Sequence, residues 1–357
     1  MTKTYIFSVV TAVLSLLTLI ILIKKNKSLP KSAKNSFYFA SALIIACTVT
    51  EFAELAMDVF SEKLWALHAF FKFAEHCLTP LIPLALATLF LPARSHRVVF
   101  IPNIVHIVLE TVSLFTGFIF YIDSGNVCRH GDFYWIYYCF VYLNVLFLVW
   151  VSIEDGARLQ NRNFLSLFTI LIFILAGTVF QVTDSEVNIV WLTVAIGAIL
   201  FYIYYCNMVY QLDALTGLLN RRAYELHKSA LKRRSVILFF DVNEFKQIND
   251  RFGHDFGDAC LRFAASAIRS VYGRYGPCYR IGGDEFCVIV DRKVGSCNIS
   301  ELNAKFAAHI AEKSGLMHSI AIGSAVFEPG KTDIDEAVKR ADEEMYSEKN
   351  RAKNSEK

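Results

Sequence analysis

Arg280-Ile281-Gly282-Gly283-Asp284-Glu285-Phe286 is the stretch on which the reading of this chain turns. Two adjacent glycines permit a sharp turn and let a bulky ligand approach the backbone. The turn separates two short apolar runs, Cys278–Gly282 and Glu285–Asp291, which read as the strands of a hairpin. Upstream, Ser235–Asp241 (SVILFFD) reads as a buried strand that ends in a carboxylate. Asp241 at a strand end and Asp284 in a hairpin turn both bring a carboxylate to a sheet edge. Two carboxylates are what Mg²⁺ needs when nucleotide phosphates complete its shell. Lys246, Lys349 and Lys353 are candidate partners for a triphosphate, although any one of them alone reads first as a solvated surface charge.

Working outward, Asn220–Lys232 reads as a helix with Asn220 as N-cap. Asn243–Arg251 is a short helix or turn, and Asp255–Tyr272 a longer helix. Ser300–Lys313 is a helix, His318–Phe327 a strand and Asp333–Asn350 a closing helix. The alternation gives an α/β domain with a central hairpin.

The rest of the chain is of another kind. Of 357 residues, 55% are hydrophobic and 19% charged, too apolar for an ordinary soluble protein of this length. The long apolar blocks stop near residue 208, so the chain splits at a change of solvent into a membrane part, 1–208, and a soluble part, 209–357. A span needs about 20 apolar residues. Seven segments meet that length: Thr4–Ile23, Phe37–Met57, Leu64–Leu91, Val98–Tyr121, Tyr134–Ile153, Phe164–Val182 and Val187–Met208. Pro80 and Pro83 predict a kink in the third. Lys24, Lys25, Lys27, Lys31 and Lys34 follow the first segment, Arg94 and Arg97 the third, Arg158 and Arg162 the fifth. Positive loops stay inside, which puts the N-terminus outside and the C-terminal domain in the cytoplasm of a plasma-membrane protein. Almost nothing separates the last segment from the soluble part, so the linker is expected to be stiff.

Several charges fall within these segments: Glu51 and Glu54 in the second, Lys72, Glu75 and His76 in the third, His106 and Glu110 in the fourth. Facing lipid they would be costly, so they are expected to face the bundle interior and find partners. They either lock the helices together or line a ligand or ion pocket. The net charge of +3, with no long basic tract, points away from a nucleic-acid partner. The nine cysteines show no metal-binding spacing and no disulfide framework. Cys278 and Cys287 could face each other across the hairpin.

Over about Asp213 to Asn354 the chain resembles the GGDEF-domain diguanylate cyclases. The signature Arg280-Ile-Gly-Gly-Asp-Glu-Phe286 is intact. It is preceded by Asp213-Ala-Leu-Thr-Gly-Leu-Leu-Asn-Arg-Arg222, Phe240-Asp-Val-Asn-Glu-Phe-Lys-Gln-Ile-Asn249 and Phe252-Gly-His-Asp-Phe-Gly-Asp258, and followed by Ala341-Asp-Glu-Glu-Met-Tyr346 and Lys349. The resemblance implies an α/β (α+β) domain, ferredoxin-like or palm-like, with a central antiparallel sheet flanked by helices. It implies condensation of two GTP into cyclic di-GMP by a homodimer, joined through this domain and the membrane part, each domain holding one GTP. It also implies Mg²⁺ (or Mn²⁺) held by Asp241, Asp284 and the Val242 carbonyl, with Glu285 beside the metal. Asn249 and Asp258 would read guanine. Lys246, Lys349, Lys353 and the backbone from Asn243 to Phe245 would meet the phosphates, and Gly283 would leave them room. An Arg-x-x-Asp product-inhibition site, frequent in the family, would fall on Gly273 and Gly276, so no inhibitory site is expected. Two rival readings stand beside the enzyme: a GTP-binding signalling module without turnover, and a membrane receptor or transporter with an incidental soluble part.

Overall fold

The structure, a computed structural model, describes residues 3–57, 64–91, 96–158, 164–183, 188–291, 298–311 and 319–355. The chain divides into two compact units, Met1–Asn207 and Met208–Lys357.

Among the described residues, the first unit is helical apart from one hairpin. Its elements are α1 (Lys3–Lys25), α2 (Lys31–Met57), α3 (Trp65–Leu78), α4 (Leu81–Ala87), α5 (His96–Val99), α6 (Ile101–Thr116), β1 (Phe120–Ile122), β2 (Cys128–His130), α7 (Trp135–Arg158), α8 (Phe164–Thr183) and α9 (Val190–Val209). Large apolar side chains point outward all along it, among them Phe7, Leu14, Leu146, Leu165 and Ile172. Helices with apolar residues on every face suit a lipid surround. Among the described residues, four helices are long and apolar enough to cross a membrane: Lys3–Lys25, Lys31–Met57, Trp135–Gly156 and Val190–Val209.

Seven were expected, and the shortfall has local causes. The third segment is not one kinked helix. α3 ends at Leu78, and Pro80, which has no N–H to continue the ladder, caps the seven-residue α4. The Pro80 carbonyl takes a hydrogen bond from Asn144 Nδ2 at 2.8 Å, which satisfies a polar group that lipid could not. The fourth segment stops early. α6 has 16 residues and ends on Gly117 at φ 72°, a left-handed cap that favours glycine. Such a helix rises only about 24 Å. Tyr121, expected at the end of that span, lies instead in the β1–β2 hairpin. α8 has 20 residues, Phe164–Thr183, of which Leu165–Val179 is the apolar stretch among the described residues.

The charges within the segments do turn inward and pair. Lys72 Nζ lies 3.2 Å from Glu54 Oε2 on α2 and 3.1 Å from Glu75 Oε2 on α3. Glu110 on α6 sits between His76 Nδ1 at 3.3 Å and His106 Nε2 at 3.1 Å, with all three side chains essentially without solvent contact. The Tyr137 ring stacks on His76 at 4.2 Å. Tyr5 donates to Glu51 Oε2 at 3.2 Å.

The second unit contains β3 (Leu219–Asn220), α10 (Arg221–Ser229), β4 (Ser235–Val242), α11 (Phe245–Phe252), α12 (His254–Tyr272), β5 (Cys278–Arg280), β6 (Glu285–Val290), α13 (Ile299–Ala311), β7 (Ile320–Phe327) and α14 (Ile334–Ser355). The sheet order is β3-β5-β6-β4-β7. All neighbours are antiparallel except β3 and β5, which run parallel. β4 is buried along its whole length because helices cover both faces, which is why its sequence reads as a continuous apolar run. Leu238, Phe240 and Val242 pack with α12 and α13 residues such as Ile268 and Phe306. Ile237 and Phe239 pack with Tyr224 of α10 and Ala341 and Met345 of α14. Asn220 caps α10 as expected, accepting from the Ala223 N–H at 3.1 Å.

Cys278 and Cys287 do not face each other. Cys278 pairs with Val288, and Cys287 with Tyr279. That register puts the two thiols on opposite faces of the sheet, each in a different core cluster.

Candidate functional site

The sheet's central strand carries Asp241 to one end of the domain. Asp241 stands opposite Glu285 on β6 and Ala321 on β7 and is only 6% exposed. The turn holding Gly282, Gly283 and Asp284 folds over the same end, where the Val242 N–H donates to the Asp284 carbonyl at 3.3 Å. Asp241, Val242, Asp284 and Glu285 are thus brought together. Burial pushes the Asp284 carboxyl above the ordinary aspartate range, and the charge of Asp241 adds to it. Glu285 is raised for the same two reasons, in the same order. Crowded carboxylates of this kind favour a bound cation.

One cation is already there. Lys349, reaching in from α14, donates to Asp241 Oδ1 at 2.6 Å. The lysine expected at phosphates therefore also neutralises the carboxylate expected to bind metal. Among the described residues, no group of three or more His, Cys, Asp or Glu side chains is arranged to hold a metal ion. The donor set fits Mg²⁺ only as a half-shell, with Asp241 and Asp284 as its carboxylates and the remainder supplied by phosphate or water.

The turn itself is held by a residue to which no role was assigned from sequence. Arg280 donates from Nε and Nη2 to the Gly283 carbonyl, at 3.1 and 2.7 Å, and from Nη1 to Asp213 Oδ1 at 3.1 Å. Asp213 also accepts from the Thr216 N–H and hydroxyl. Its place at the start of the first motif was the available signal. A side chain added to Gly283 would meet nothing within 4 Å, so the outer side of the turn is open to a ligand.

The remaining predicted residues lie on α11 and α12. After β4, Asn243 anchors the chain through Nδ2 to Ser319 Oγ at 2.7 Å. Glu244 then adopts a left-handed conformation, φ 53°. Phe245 packs against the core, and Lys246 is exposed. Asn249 lies against Gly257 of α12, where any side chain would collide with its amide, and the next residue is Asp258. Asp258 is 3.8 Å from Arg262, one turn on. The Lys353 side chain lies outside the described residues. His254 opens α12.

The description "Diguanylate cyclase, GGDEF domain" matches residues 210–355. Residues 210–355 are a GGDEF domain. This GGDEF domain is 36% identical over 154 residues to the signaling protein YkoW of Bacillus subtilis, covering 40% of this chain and 19% of that protein. It is 30% identical over 161 residues to a diguanylate cyclase of Vibrio cholerae, covering 42% of this chain and 50% of that one. The chain thus spans half or less of the length of these two relatives. Among solved structures, the GGDEF domain of DgcB from Caulobacter crescentus in complex with c-di-GMP is 25% identical, covers 40% of this chain and 89% of that one, and superimposes with a TM-score of 0.36.

In the GGDEF domain of this chain, Asp213 is a point where pH acts on stability. Burial alone would raise its carboxyl, but the hydrogen bonds from Thr216 and Arg280 outweigh it and hold the group below the usual aspartate range. A carboxylate lowered in the folded state contributes stability above its unfolded value, about 3.9, and loses it as pH falls through the folded value. Asp213→Asn should therefore cost about 1 kcal/mol at neutral pH. That difference should shrink in acid, as read by chemical unfolding of the two proteins across pH.

Proposed function

We propose that this chain is a membrane-bound diguanylate cyclase that condenses two GTP into cyclic di-GMP and two pyrophosphates. The observation that carries the reading is the convergence of Asp241, Asp284 and Lys349 at the end of β4, beside an open glycine turn. The 3′-hydroxyl of one GTP attacks the α-phosphate of the other. A bond forms from the 3′-oxygen to the α-phosphorus, the α-phosphorus bond to the α,β-bridging oxygen breaks, pyrophosphate leaves, and the hydroxyl proton passes to Asp284 or to water. A second, reciprocal transfer closes the ring.

Asp241 and Asp284 would hold Mg²⁺ or Mn²⁺, with the Val242 carbonyl helping. When bound, the ion would stabilise charge on the α-phosphate and the leaving group. Lys349, now on Asp241, would turn to the β- and γ-phosphates. Lys246 and Lys353 would add positive charge, and the Asn243–Phe245 backbone would cradle the phosphates. Glu285 would support the metal site, Gly283 would leave the nucleotide room, and Asn249, through its amide, and Asp258, as an acceptor, would read the guanine edge. Each domain would hold one GTP, so two copies must face each other as a homodimer.

A GTP-consuming domain belongs in the cytoplasm. The lysines flanking the α1–α2 turn fit the same side; with the start of α1 outside, that needs an odd number of crossings, at least one beyond the four long apolar helices. The first unit would act as the sensor controlling dimerisation, through a ligand or signal that its sequence does not name.

The test is incubation of the full chain in lipid nanodiscs with GTP and Mg²⁺, followed by mass spectrometry. Cyclic di-GMP from the chain supports the enzyme. Bound GTP without product from the reconstituted dimer would leave the silent signalling module instead.

Product inhibition should be weak. A side chain at position 276 would run into the Ile289 carbonyl, so the position has no room for an aspartate. Arg274 lies over the Tyr275 ring at 4.7 Å. Added cyclic di-GMP should leave initial rates unchanged; strong inhibition would contradict this.

A further inference from the structure

We propose that Glu344 and Glu348 are positioning residues: they fasten the last turns of α14 to the free edge of β7 and so deliver Lys349 to Asp241. The inference rests on the reading of Lys349 as a phosphate-facing cation.

Among the described residues, β7 is the last strand of the sheet and pairs with β4 on one side only. An edge strand leaves a row of backbone N–H groups unpaired. Here two of them are taken by carboxylates of the helix that crosses the strand. The Ser324 N–H donates to Glu344 Oε2 at 2.5 Å, and the Ser324 hydroxyl reaches the same oxygen at 3.3 Å. The Ile322 N–H donates to Glu348 Oε2. The two acceptors are four residues apart on α14 and their donors two apart on β7. One helical turn therefore lies along one strand repeat.

Packing alone does not hold this part of the helix. α14 meets β7 closely at Gly323, where a Cβ would strike the Ala341 carbonyl and the Met345 backbone. Met345, 5% exposed, is the last core residue of the helix among the described side chains. From Tyr346 to Glu348 the side chains are exposed. Lys349 thus stands one residue beyond the second tether and four beyond the last apolar anchor. Ile322, the tether's strand partner, is opposite Phe240, next to Asp241. The Glu348 contact fixes the helix one residue from the lysine and the strand one register step from its carboxylate. When Lys349 leaves Asp241 for a phosphate, the tether keeps its ammonium within reach.

The experiment compares the full chain in nanodiscs with the double variant Glu344→Ala/Glu348→Ala and the amide pair Glu344→Gln/Glu348→Gln. Hydrogen exchange without nucleotide reads Ile322, Ser324 and residues 346–351, with the β4 amides as a fold control. Mg-GTP titration reads affinity. The alanine pair should speed exchange at those sites by tenfold or more, leave β4 protected, and weaken Mg-GTP several-fold. The glutamine pair, which keeps an acceptor oxygen, should restore most of both. In a Lys349→Ala background the alanine pair should weaken Mg-GTP no further.

Unchanged exchange at 346–351 would overturn the tether. Fast exchange with unchanged Mg-GTP affinity, or a full loss that persists without Lys349, would overturn the positioning role. If the unsubstituted chain binds no Mg-GTP, the proposed function and the positioning role with it fail, while exchange still decides the tether.

Discussion

Asp241→Asn should slow cyclic di-GMP formation by about 10²–10³-fold, the usual loss when one preorganised charge is removed from a transition state. The substitution keeps the shape of a side chain that is 6% exposed and leaves β4 pairing on both sides intact. What changes is charge. Lys349 loses the carboxylate it now holds at 2.6 Å, and Asp284 loses the neighbour whose charge helps raise its carboxyl. Asp284 should therefore ionise more readily in the variant, yet the pair of carboxylates needed for a divalent ion is gone. Initial rates by mass spectrometry, beside a melting curve to show that the fold survives, would check this. A variant within about tenfold of the parent rate would remove Asp241 from the metal site.

Lys72→Met should have the largest effect on the first unit. Lys72 is the cation between Glu54 and Glu75, and all three side chains are largely withdrawn from solvent. Methionine fills a similar volume but leaves two carboxylates facing each other. Breaking a buried pair by removing one partner costs about 3–5 kcal/mol, a large part of the stability of an ordinary domain. The variant should melt at clearly lower temperature in nanodiscs, or fail to accumulate. Adding Glu54→Gln and Glu75→Gln should recover most of the loss, because no charge is then left unpaired. Equal melting of Lys72→Met and the parent would mean that the triad contributes nothing to assembly.

The soluble domain was legible in the sequence because its signals are local. An apolar run closed by Asp241, a double glycine before Asp284 and a cap at Asn220 each need only a few residues to be read. β3 was not legible, since two residues carry no period, and its parallel pairing with β5 joins positions about 60 apart. The opposite facing of Cys278 and Cys287 depends on register, which the turn sets one residue at a time. Glu344 and Glu348 look like ordinary surface charges of a helix, and their partners are backbone groups that no side-chain pattern announces. The number of spans expected in the apolar region was not found, for a related reason. Hydropathy counts apolar residues, but Pro80 and Gly117 end helices within stretches that remain apolar.

The buried pairs of the first unit join residues that leave the ribosome at different moments. Glu54 precedes Lys72 by 18 residues, and His76 precedes Glu110 by 34. Pro80 waits 64 residues for Asn144. A carboxylate-bearing α2 released sideways into lipid on its own would carry an uncompensated charge. In a bilayer, α2 and α3 would therefore have to be accommodated together. The same bookkeeping delays completion around the Pro80 break until α7 has been made. In a bilayer the segments of this region would depend on one another in order, and truncation before α7 should leave the Pro80 carbonyl without its Asn144 partner.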